Sequence, residues 1–129
     1  MTFKSLCLGM SLLAAATSTT HAEIQYNEES IKAGKQLFAM NCTSCHGNDG
    51  KATVNFVADA TNLTAPAQWR GGNTRQHIFD AIKGGQAVDM PAYEWILSGD
   101  EDIWHLTNFV LSLWPEEARQ KALAEHESQ

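Results

Sequence analysis

Three cysteines, three prolines and two tyrosines in 129 residues are a sparse set, and each scarcity excludes something. So few cysteines rule out a dense disulfide framework. Basic residues are also scarce: nine Lys and Arg stand against fifteen Asp and Glu, a formal net charge of -6 with no patch that invites nucleic acid. The main apolar run, Leu6 to Ala16, falls short of the roughly 20 residues a membrane span needs. No run keeps the two-residue period of a strand, and no segment repeats. What remains is the length of one small domain with helical patterning.

Lys4, the eleven-residue apolar run and a polar stretch ending Thr20, His21, Ala22 have the order of a secretory signal peptide. Cys7 lacks the preceding apolar segment of a lipoprotein site, and a retained N-terminal anchor is the alternative to cleavage. Removal after Ala22 leaves 107 residues carrying eight basic and fifteen acidic groups, a formal charge of -7. The expected organisation is a signal peptide over 1–22, one domain over 23–115 and a polar tail over 116–129. Such a domain buries only about 60 to 70% of its unfolded surface, so a disulfide, a metal or a large cofactor would add useful stability.

With Cys7 removed, the two remaining cysteines fall in Cys42, Thr43, Ser44, Cys45, His46. In an exported protein an uninterrupted C-x-x-C-H reads as covalent haem attachment. Two thiols at this spacing can add to the two vinyl groups of one porphyrin, and the adjoining imidazole then lies beneath the iron. Three other readings stay open: a redox disulfide, a zinc site, or a structural bridge with His46 incidental. The redox motif calls for a βαβ context, and zinc for a second ligand pair; the sequence offers neither.

Asn27 is placed to cap a helix over about Glu28–Met40, with Ile31, Gly34, Leu37 and Phe38 on one side. The helix runs into the attachment motif, and Gly47, Asn48, Asp49 and Gly50 break it. Residues 51–72 carry no period and read as an extended loop. Asn73 with Gln76 resembles a capping box for a short helix over about Thr74–Lys83, stopped by Gly84 and Gly85. A second loop carries Met90 and Pro91, and Tyr93–Leu97 forms one more turn. Ser98 with Glu101 repeats the capping-box pattern before a closing helix, in which Ile103, Leu106, Val110 and Leu113 recur at helical spacing until Pro115. The polar segment that follows reads as a frayed helix or loose tail.

An exported chain with C-x-x-C-H near its start, Met-Pro about 44 residues after the His and a helix last resembles a class I c-type cytochrome over roughly Ser30–Leu113. The resemblance implies an all-α, small cytochrome c fold, with crossing N- and C-terminal helices around one covalently attached haem. Gly34 and Phe38 match the crossing on the first helix and Phe109 on the last, where the family usually has Tyr or Trp. A helical glycine costs roughly 1 kcal/mol against alanine, and close approach of a ring from a crossing helix gives it a reason.

The resemblance further implies that Cys42 and Cys45 bear the haem and that His46 binds iron, its other nitrogen donating to a backbone carbonyl. The family's Pro-x-Leu segment has its counterpart in Thr61, Asn62 and Leu63, without the proline, which makes the Thr61 carbonyl the expected acceptor. Of the two mature methionines, Met40 lies too near Cys42 to reach the opposite face, which leaves Met90 as the distal ligand; His77, or no protein ligand, is the alternative. Trp69 and Arg70 resemble positions that reach a haem propionate, with core packing and a solvated charge as the plain alternatives. His105 and His126 look solvated, and Trp95, Trp104 and Trp114 read as core or edge packing.

Iron held on both faces leaves no open position for substrate, which implies electron transfer rather than catalysis. The expected protein is a periplasmic one-electron carrier, not itself an enzyme, with no stable membrane span after cleavage of the leader. Its acidity favours redox partners with basic docking surfaces. A haem subunit of a periplasmic dehydrogenase or reductase complex uses the same chemistry. A gas sensor or peroxidase, in which Met90 dissociates, is the reading from another class; the sequence shows no paired distal acid and base for peroxide cleavage.

Overall fold

Asn27 starts the first helix in the way its side chain allows: Oδ1 accepts from the Ser30 backbone N–H at 2.9 Å and satisfies one of the first-turn donors. The computed structural model describes residues 23–53, 60–86 and 89–127, so the expected signal peptide over 1–22 lies outside the described residues. Among these residues five α-helices form: α1 Glu28–Asn41, α2 Thr43–His46, α3 Arg75–Gly84, α4 Asp100–Ser112 and α5 Glu116–Glu127. Single 3-10 turns occupy Pro66–Gln68 and Tyr93–Trp95. No strand forms among the described residues; an isolated antiparallel bridge joins Gln86 to Met90.

The core lies where α1 crosses α4, the most extensive contact between elements. Phe38 and Phe109 meet there with ring centroids 5.0 Å apart and planes tilted by 54°. Burying each such ring is worth about 1.5 to 3 kcal/mol. Ile103, Leu106, Val110 and Leu111 are buried beside them on α4, and Ile78, Phe79 and Ile82 close the core from α3. Phe79 stacks on Trp104 at 4.2 Å.

Two helix starts differ from expectation by one residue. Thr74, not Asn73, caps α3, its hydroxyl accepting from the His77 N–H at 3.1 Å, while Gln76 turns outward to Asp80. At α4 the cap position is Gly99, which has no side chain to offer, and Asp102 rather than Glu101 reaches back to the Ser98 N–H at 3.1 Å. In each case a neighbouring short polar side chain reaches the orphan donor from the better backbone position.

The segment after Pro115 is helical and docked. Ala122 is buried, and Arg119 donates to the Ser112 and Trp114 carbonyls at 3.3 and 3.2 Å, which closes the end of α4. His126 is not solvated: its ring lies edge-on to Trp104 and its Nε2 meets Glu23. His105 is likewise engaged, with Nδ1 2.9 Å from the Ser30 hydroxyl. The apolar face that α5 turns to the core is slight, Ala118, Ala122 and Leu123, and polar side chains complete the docking, which is why the sequence pattern concealed it.

Candidate functional site

Cys42 closes α1, its N–H donating to the Phe38 carbonyl at 2.9 Å, and also opens α2. The Cys45 and His46 N–H groups both donate to the Cys42 carbonyl, at 3.2 and 2.9 Å, so the attachment motif occupies one helical turn. Both thiols are half-buried and unpaired. Burial, with a smaller contribution from Cys45, pushes the Cys42 thiol up to about 12. A thiol kept protonated resists oxidation, because the thiolate is the reacting form. Among the described residues no group of three or more His, Cys, Asp or Glu could hold a metal ion. The zinc alternative therefore has no ligand set among the described residues.

His46 is half-buried, and its Nδ1 lies 2.9 Å from the Thr61 carbonyl. Burial lowers its pKa, and the bond to Thr61 offsets this in part. A neutral ring that donates through Nδ1 carries its lone pair on Nε2, the form a metal requires. Thr61 needs no proline to be held in place. Asn62 Oδ1 accepts from the Thr64 N–H and hydroxyl at 2.9 and 2.8 Å, and the Leu63 N–H donates to the Gly50 carbonyl at 2.7 Å.

Trp69 completes that support. Its indole N–H donates to the Asn62 carbonyl at 2.9 Å, and its ring stands edge-on to Trp114 at 5.2 Å. An indole has one donor, and in this structure the Asn62 carbonyl receives it. Arg70 is exposed. The buried Trp114 Nε1 has no acceptor among the described residues, a donor that the surrounding protein leaves for another group. Leu63 and Met90, both partly buried, pack against the core.

Met90 sits in a tight return. Its N–H and carbonyl pair with Gln86 at 3.2 and 3.1 Å, and Gly85 at φ 74° precedes the bridge. A β-carbon on Gly85 would stand 2.8 Å from the Ala92 nitrogen, so the backbone closes as it does only because that position is glycine. Residues 87 and 88 lie outside the description. Beyond Pro91, the Tyr93 hydroxyl donates to the Asn41 carbonyl at 2.9 Å, a contact that no local pattern announces. His77 is half-buried in the first turn of α3, with its ring against Gly71 and Gly72. Trp95, expected as core or edge packing, is 83% exposed, while Trp104 and Trp114 are core.

The donor set thus fits a covalently attached haem: two unpaired thiols on one turn, an adjoining neutral imidazole with a fixed tautomer, and a thioether on a separate loop. A family model described as cytochrome c matches residues 31–114. The chain is 31% identical over 102 residues to the Cbb3-type cytochrome c oxidase subunit CcoP of Rubrivivax gelatinosus, covering 79% of this chain and 32% of that protein. It is 33% identical over 82 residues to cytochrome c6 of Gracilaria tenuistipitata var. liui, covering 64% of this chain and 71% of that one. The chain spans about a quarter to a third of the length of the oxidase subunits it matches. Cytochrome c6 from the diatom Phaeodactylum tricornutum superposes with a TM-score of 0.52 at 31% identity, covering 73% of this chain and 95% of that one. A chain of a Kuenenia stuttgartiensis reducing HAO-like protein complex gives 0.64 at 25% identity, covering 74% and 48% respectively.

Proposed function

This chain belongs to the cytochrome c family, and from that premise we propose that it is a one-electron carrier exported to the periplasm, with His46 and Met90 as axial ligands. Its fold is the small all-α cytochrome c fold. Haem c, attached through Cys42 and Cys45, supplies reversible one-electron chemistry at iron. The reading is carried by one observation: His46, on the same helical turn as two unpaired thiols, has Nδ1 engaged by Thr61 and so presents Nε2 as a ligand.

The residues then act by holding and by excluding. His46 and Met90 are both neutral donors, and the thioether favours the reduced state more than a second imidazole would. Leu63, two residues beyond Thr61 and partly buried against the core, adds apolar surroundings, which disfavour the extra charge of the oxidised state. Ligands on both faces leave no site for a substrate. With the leader removed, the formal charge of -7 favours partners with basic docking surfaces at low ionic strength.

A second reading has a specific basis, since relatives 31 to 41% identical are named as subunits of a Cbb3-type oxidase. As a dedicated haem subunit the chain would pass electrons within a larger assembly. Purification from the native host at low ionic strength separates the two, a lone monomer favouring the free carrier and co-purifying larger subunits favouring the complex.

Intact mass, optical spectra and a potentiometric titration of the exported protein test the main reading. The expected result is one haem adduct, a low-spin spectrum with the weak red charge-transfer band of Met-ligated ferric haem, and a single one-electron transition. A mass without the adduct would overturn it. Rapid carbon monoxide binding to the reduced protein at neutral pH would move the assignment to a sensor or peroxidase.

A further inference from the structure

Tyr93 stands three residues beyond Met90, and Asn41 one residue before Cys42. The 2.9 Å bond from the Tyr93 hydroxyl to the Asn41 carbonyl therefore joins the loop carrying the thioether to the helix end carrying the attachment motif. The other backbone bonds of this loop are local: Gln86 pairs with Met90, and the Ile96 and Leu97 N–H groups both donate to the Tyr93 carbonyl at 3.0 Å. They shape the loop without fixing its position relative to Cys42. Among the hydrogen bonds of the described residues, Tyr93 to Asn41 is the one that links residues 85–97 to α1 or α2.

The acceptor is well placed for such a role. The last carbonyls of a helix have no partner within it, so Asn41 offers a lone pair at the end of α1. That end is itself held, because Asn41 Nδ2 donates to the Leu37 carbonyl and the Cys42 N–H to the Phe38 carbonyl, both at 2.9 Å. Burial raises the Tyr93 pKa above its ordinary value. The hydroxyl consequently remains a donor at neutral pH and beyond.

We propose that Tyr93 is a positioning residue for Met90, its hydroxyl holding the Met90 loop at the end of α1 so that the thioether stays on the iron against competing ligands. The proposal rests on the reading of Met90 as the distal ligand. Without the hydroxyl the loop keeps its local turn and loses the Tyr93 tie to the attachment helix. Exogenous ligands then compete with Met90 at lower cost.

The test is imidazole titration of the ferric holoprotein, comparing wild type with Tyr93→Phe, which removes a single oxygen. Loss of one partly buried hydrogen bond is expected to tighten apparent imidazole binding by about five- to tenfold. The haem adduct and far-ultraviolet helical signal should be unchanged. Met90→Ala provides the control: it should tighten imidazole binding more strongly, and adding Tyr93→Phe in that background should change nothing further. An effect that persists without Met90 assigns Tyr93 a general structural role and overturns the proposal. Unaltered imidazole affinity in Tyr93→Phe, with Met90→Ala responding, overturns the tether and leaves the ligand assignment intact. If Met90→Ala does not respond, the ligand reading fails and takes the proposal with it. A Tyr93→Phe protein that loses haem or helical signal also overturns it, since the bond would then support the whole fold.

Discussion

Gly34 lies against the backbone of α4 so closely that a β-carbon there would overlap the His105 carbonyl oxygen and stand 2.8 Å from the Phe109 β-carbon. The crossing of α1 and α4 is set by this contact. Its neighbour Phe38 can reach the Phe109 ring because the backbones approach where one residue has no side chain.

Gly34→Ala is therefore expected to destabilise the protein by about 3 kcal/mol, despite a gain in helix propensity of roughly 1 kcal/mol. The obstacle is backbone, which has no rotamer by which to move aside. Denaturant unfolding measures the change through its midpoint. A variant as stable as wild type would mean that the helices cross at a greater separation.

The attachment motif was legible in the sequence because it is local, whereas the crossing was legible through the family resemblance, laid on helix faces whose period the sequence shows. Phe38 follows Gly34 by one helical turn, and Cys42, Cys45 and His46 are consecutive on a single turn. Thr61 was legible only through the family resemblance, and its support by Asn62, Leu63 and Trp69 was not, since those bonds depend on how a loop without any period folds back. Tyr93 and Asn41, 52 positions apart, leave no pattern at all. Helix α5 was obscured for a related reason: its core-facing Ala118 and Ala122 are small, and Arg119 and His126 complete the docking.

Met90→Ala removes the proposed thioether ligand. The expected outcome is loss of the red charge-transfer band and a potential lower by on the order of 0.1 V or more, a fraction of the ~0.8 V range that axial ligands span. An unchanged ferric spectrum would assign the sixth ligand elsewhere, with His77 the next residue to examine.

Cys42→Ala leaves Cys45 as the one attachment point. A haem adduct should persist under denaturing conditions through a single thioether, with a lower unfolding midpoint. Replacing both cysteines should abolish the adduct. Haem that stayed with the denatured double variant would contradict attachment through this motif.

Asn108, fully buried, holds together a polar cluster behind the crossing. Its Oδ1 accepts from Arg75 Nε and Nη2 at 3.1 and 2.8 Å, and its Nδ2 donates to the Ser30 hydroxyl at 2.7 Å. Arg75 is 3% exposed, ion-paired with Glu23 and stacked over Trp104 at 4.8 Å; burial lowers its pKa to about 10, so it remains charged at neutral pH. Truncating Asn108 to Ala leaves that cation short of an acceptor and is expected to cost about 3 kcal/mol. Thermal unfolding of the holoprotein checks it, and a loss below about 1 kcal/mol would show that Glu23, Trp104 and the Ile24 carbonyl, which also accepts from Arg75, suffice.

The same cluster sets a pH dependence. Burial lowers the pKa of His126, and the charge of Arg75 adds to the effect. The charge of Glu127 opposes the shift without reversing it. The folded value therefore lies below the ordinary 6.5, and the unfolded chain binds the proton more readily. It follows that the His126 contribution to stability is complete above pH 6.5 and declines as pH falls through the folded value. His126→Gln keeps an N–H for Glu23 without a titrating ring, so the stability difference between wild type and variant should shift against wild type on acidification from neutral pH. Unfolding midpoints of both proteins across that window measure it. A difference that moved in favour of wild type at lower pH would mean that Glu23 holds the proton on His126, reversing the order of the two electrostatic effects.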